Sequence, residues 1–73
     1  MNEKTRIQKD IIMFEDNIKK TEKINLNISQ KKNIELALQY YKDSKYYADK
    51  KDYFTSFGCI NYAHGLLDSI IKF

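Results

Sequence analysis

The stretch NIELALQYYKDSKYYADKKDYFTSFGCINYAHGLLDSIIKF, Asn33–Phe73, decides the fold. At 100° per residue its first part gathers Leu36, Tyr47, Tyr40, Ser44, Ala37, Ala48, Tyr41, Ile34 and Leu38 on one arc of about 200°. Glu35, Gln39, Lys42, Asp43, Tyr46, Asp49 and Lys50 fill the other side. The second part gathers Leu66, Cys59, Ile70, Ala63, Ser56, Leu67, Ile60, Tyr53, Ile71 and Phe57. The centres of both arcs carry small residues seven apart, Ala37 with Ser44 and Ser56 with Ala63, so two backbones can approach closely there. Lys50-Lys51-Asp52 is the tight polar turn between them, with Asp52 suited to cap the next helix and Thr55 at its N3 position. A short connection makes neighbouring helices antiparallel, and the stretch reads as a helical hairpin.

Upstream, Ile7, Ile11, Phe14, Ile18 and Thr21 recur at helical spacing and predict one amphipathic helix over about 3–23, with a seam narrow enough to dock in a groove. Glu15 with Lys19, and Asp16 with Lys20, take the favoured i, i+4 order. In Ile24-Asn25-Leu26-Asn27-Ile28 the pattern breaks, because asparagine side chains compete for backbone hydrogen bonds. Asn27 and Gln30 have capping-box spacing, Ser29 is a rival N-cap, and the second helix is expected over about 30–50. The third is expected over about 53–71. The predicted architecture is all-α: a single helical domain over 1–73, a three-helix bundle with a long N-terminal helix packed on an antiparallel hairpin.

Composition narrows the function. With 73 residues and no proline, the chain has room for one small core, and its single cysteine, Cys59, can form no internal disulfide. No cysteine and histidine set has zinc spacing, and no phosphate loop or nucleophile elbow is present. Cofactors and metals are therefore not expected, and neither is enzymatic activity. The charged first residues carry no signal or membrane span, which predicts a soluble protein in a reducing, intracellular compartment.

The net charge of +3 resides in the first 32 residues, which hold eight basic and five acidic side chains against five of each afterwards. Lys19, Lys20, Lys23, Lys31 and Lys32 form a candidate basic patch. Lysines ending a helix also complement its dipole, which accounts for them without a ligand. Tyr40, Tyr41, Tyr46 and Tyr47, interleaved with lysines, could stack nucleobases, but three of the four fall on the packing arc and acids share the polar face. Nucleic-acid binding through the basic first helix and linker is the alternative function.

Gly58 and Gly65, the only glycines, share one face of the third helix with Phe54, Asn61 and Asp68. In a helix interior each costs about 0.5–1 kcal/mol relative to alanine. Either they admit a close intramolecular helix, or they form a flat contact patch for a second copy or another protein, with Phe54 as anchor. His64 and Asp68 stand one turn apart, the spacing of a base and its orienter or of two metal ligands. With one histidine in the chain, a polar pair at the border of the core is the expectation.

The segment Ala37–Ser69, above all Ile60-Asn-Tyr-Ala-His-Gly-Leu-Leu-Asp68, resembles the small archaeal family known as domain of unknown function 357. The resemblance covers about the last half of the chain and implies an archaeal, cytoplasmic three-helix protein without catalytic residues to transfer. Ser44 and Ser56 stand where alanine is usual. The hairpin is also distantly similar to tetratricopeptide units and to HEPN domains. RNA-cleaving HEPN members place an Arg a few residues before a His on one helix, whereas here the only Arg is Arg6. The expected function is a non-enzymatic protein-protein interaction or self-association module.

Overall fold

The computed structural model describes residues 2–71. Three α-helices, α1 (Glu3–Ile18), α2 (Ile28–Asp49) and α3 (Tyr53–Ile71), form an all-α three-helix bundle, with a 3-10 segment at Lys19–Lys23. Asn2 caps α1, its side chain accepting the Thr5 amide at 2.8 Å. The predicted stripe faces inward: Ile7, Phe14 and Thr21 are buried, and Ile11 and Ile18 pack partly buried against the core.

The first helix does not run in α form to residue 23. It tightens after Ile18, where the Thr21 hydroxyl donates to the Ile18 carbonyl at 2.7 Å. Side-chain back-bonding of this kind competes with the helical ladder, and helix ends often close as 3-10 turns. Lys19 and Lys20 leave the α register accordingly, and the Glu15 carboxylate accepts the Tyr41 hydroxyl.

The second helix starts at Ile28, ahead of the expected residue 30, because Asn27 rather than Ser29 is its N-cap. The capping box is complete: the Asn27 side chain accepts the Gln30 amide at 2.7 Å, and the Gln30 side chain accepts the Asn27 amide at 2.9 Å. At the far end Lys51 takes φ 63°, a left-handed conformation. The Asp52 amide bonds the Tyr47 carbonyl at 2.9 Å and the Lys51 amide bonds the Ala48 carbonyl at 3.0 Å. These two bonds define a Schellman closure with lysine where glycine is usual. Asp52 then caps α3 by accepting the Thr55 amide at 3.2 Å.

Across the hairpin Ala37, Ser44, Ser56 and Ala63 are all fully buried. The Ser44 hydroxyl donates to the Ser56 carbonyl at 2.8 Å and the Ser56 hydroxyl returns the bond to the Ser44 carbonyl at 2.7 Å. A side chain as short as serine reaches the opposite backbone only if the helices nearly touch. The small-residue seam is therefore the contact line of α2 and α3.

α1 packs mainly on α3 and runs parallel to it, since Arg6 meets Phe57 and Asp10 meets His64. Phe14 enters the core cluster of Ala37, Ile60, Ala63 and Leu67, with Tyr41 stacked on its ring at 5.0 Å between centroids. Burying a side chain of that size stabilises the fold by about 1.5–3 kcal/mol.

Candidate interaction surface

Side chains on α3 divide by face. Ser56, Ile60, Ala63, Leu67 and Ile70 point into the bundle, while Phe54, Gly58, Asn61 and Gly65 lie on the exposed side and Asp68 is half-buried at its edge. A Cβ added to Gly58 or to Gly65 would meet no atom within 4 Å. This overturns the close-helix explanation of the two glycines. α1 reaches this face only at its Gly58 end, where Glu3, Arg6 and Ile7 border a cleft with it. Among the described residues no close packing offsets the helix-propensity cost at either position.

Phe54 is 91% exposed, more than any other large apolar side chain among the described residues. Beside it, the parallel course of α1 and α3 opens a cleft of about 340 Å³ lined by Glu3, Arg6 and Ile7 from α1 and by Tyr53, Phe57 and Gly58 from α3, with Phe54 also in its wall. The Arg6 guanidinium lies over the Phe57 ring, 4.7 Å from its centroid. Tyr62, half-exposed and one turn from each glycine, tilts against Tyr40 at 4.6 Å. Sequence periodicity gave no sign of the cleft, whose α1 wall is set by where that helix docks. The adjacent aromatics Tyr53-Phe54 were the available signal.

His64 turns away from its own helix. Its Nε2 bonds the Asp10 carbonyl of α1 at 2.8 Å, and its ring meets Phe14 edge-on at 5.7 Å. A carbonyl only accepts, so Nε2 carries the proton and the bond pins α1 to α3. With Nε2 donating, Nδ1 is the ring nitrogen left to accept a proton. Asp68 sits half-buried one turn along. Among the described residues no three histidine, cysteine or acidic side chains converge on a metal position. Burial raises the Cys59 thiol above its ordinary range, reinforced by Asp43 and Asp52, so the thiolate a nucleophile needs is disfavoured.

All five patch lysines are exposed. Lys19, Lys20 and Lys23 border one shallow depression with Glu22 at the end of the first helical segment. There the helix dipole favours them. Lys31 and Lys32 instead follow the α2 N-cap, where the dipole opposes positive charge, so the dipole explanation covers three of the five.

The family model described as "Protein of unknown function (DUF357)" matches residues 9–73. The chain belongs to this family. No curated protein matches the sequence. The DUF357 match begins within α1, so the first helix is part of the family domain, beyond the hairpin that carried the resemblance. Glu3, Arg6 and Ile7, the α1 wall of the cleft, precede the matched span. No helix among the described residues is long and apolar enough to cross a membrane.

Proposed function

We propose that this DUF357 chain is a non-enzymatic interaction module that engages another protein, or a second copy, through the outer face of α3. The observation that carries this reading is the conjunction of an almost fully exposed Phe54 with two helix-interior glycines that have no neighbour. Glycine flattens a helix and lets a partner backbone approach, while an aromatic anchor supplies binding energy. The lone Cys59 suits a reducing cytoplasm, and the family resemblance implies an archaeal cell. Affinity capture with tagged wild type and with Phe54→Asp tests the reading. Material retained by wild type and lost from the variant supports it, and identical profiles for the two refute it.

A nucleic-acid reading draws on Lys31 and Lys32, which lack a dipole rationale. In the same capture it requires nucleic acid that is lost when the five patch lysines become glutamine and when salt is raised.

A further inference from the structure

We infer that the α3 cleft receives Phe54 of a second copy of this chain, in a two-fold pair with antiparallel α3 helices. The inference rests on reading the outer face of α3 as the interacting surface, and it names the partner. An isologous contact needs one patch that holds both a projection and its receptacle. Phe54 is the projection, 91% exposed, and one turn later Gly58 leaves an open floor where a Cβ would meet nothing within 4 Å. The cleft between them is walled by Tyr53, Phe57 and Ile7.

Charge selects the second copy over an unrelated partner. The same cleft contains one acid, Glu3, and one base, Arg6, one turn apart on α1. A patch bearing both signs is complementary to itself after a half-turn: Glu3 of each copy meets Arg6 of the other. Because α1 and α3 run parallel and Arg6 lies over Phe57, the midpoint of the Glu3 and Arg6 pair falls near the height of the midpoint of Phe54 and Gly58. One axis therefore satisfies the aromatic exchange and the charge exchange together. Arg6 stacked on Phe57 is already ordered, which lowers the entropy lost on contact.

Sedimentation over a dilution series up to the solubility limit, with circular dichroism to verify helix content, tests this. Wild type is expected to dimerise reversibly. Phe54→Ala should weaken dimerisation about tenfold or more. Gly58→Leu should abolish it while leaving the dilute protein folded, since the monomer has open space there. Arg6→Glu should weaken it, and the swap Glu3→Arg with Arg6→Glu should recover most of the loss. A monomer at every concentration overturns the inference, as does a dimer indifferent to Phe54→Ala and Gly58→Leu. A monomer whose capture profile still depends on Phe54 overturns only the choice of partner and leaves the interaction reading standing.

Discussion

Ser44 and Ser56 show how one atom type fixes a helix pair. Each hydroxyl donates to a carbonyl of the opposite helix, and the two hydroxyl oxygens stand 3.0 Å apart in a fully buried site. Their burial is tolerable because both donors are satisfied, and among the described residues no buried side-chain polar atom lacks a partner. Ser44→Ala removes one bond and orphans no donor, so it should cost about 1 kcal/mol and lower the melting temperature by roughly 4–8 °C. Ser44→Leu must instead force the seam apart and should cost about 3 kcal/mol or more. Urea denaturation of both variants measures this, and equal midpoints would mean that the helices do not touch where the serines meet. The seam was readable in the sequence because small residues at heptad spacing on two facing arcs leave little else for those arcs to do. The glycines were not, since periodicity puts Gly58 and Gly65 on one face but does not say which face α1 will cover.

At the level of the element, local chemistry sets where helices stop. Asn27 with Gln30 and Asp52 with Thr55 are caps whose bonds span three residues, so their spacing carries the whole signal. The end of α1 was harder to read, because the apolar stripe continues through Thr21 although the backbone has already tightened. The cleft was hidden for a related reason: it depends on long-range docking of α1 rather than on any short pattern. The turn itself contains a testable strain. Lys51 occupies a left-handed conformation, which costs a residue with a Cβ about 1–2 kcal/mol and glycine almost nothing. Part of that difference is returned through the freer unfolded chain of a glycine variant. Lys51→Gly should therefore stabilise the fold by about 1 kcal/mol, whereas Lys51→Ala, equally strained, should change little. Thermal melts of the pair check the assignment, and a glycine variant no more stable than the alanine one removes the strain from the account.

For the whole molecule, 37 × 19 × 15 Å, the cross-section leaves room for a core only about one side chain deep, so each inter-helix bond bears on global stability. Two half-buried groups titrate in the alkaline range. The Tyr41 phenol, which joins α2 to α1, is raised above its ordinary 10.0 chiefly by its hydrogen bond to the Glu15 carboxylate, then by burial. The Cys59 thiol of α3 is raised from 9.0 chiefly by burial. In both cases the folded state holds the proton more tightly than the unfolded chain, so the stabilisation is complete below the unfolded values and fades as pH rises through the folded ones. The melting temperature should accordingly fall from about pH 9 upward, more steeply above 10. Tyr41→Phe gives up the Glu15 bond at every pH, about 1 kcal/mol near neutrality, and in exchange loses its share of the alkaline decline. The gap between wild type and Tyr41→Phe should thus narrow above pH 10. A gap that stays constant to pH 11 would show that Tyr41 keeps no proton through its contact with Glu15, and that α1 is held to the hairpin by its apolar stripe and the His64 bond instead.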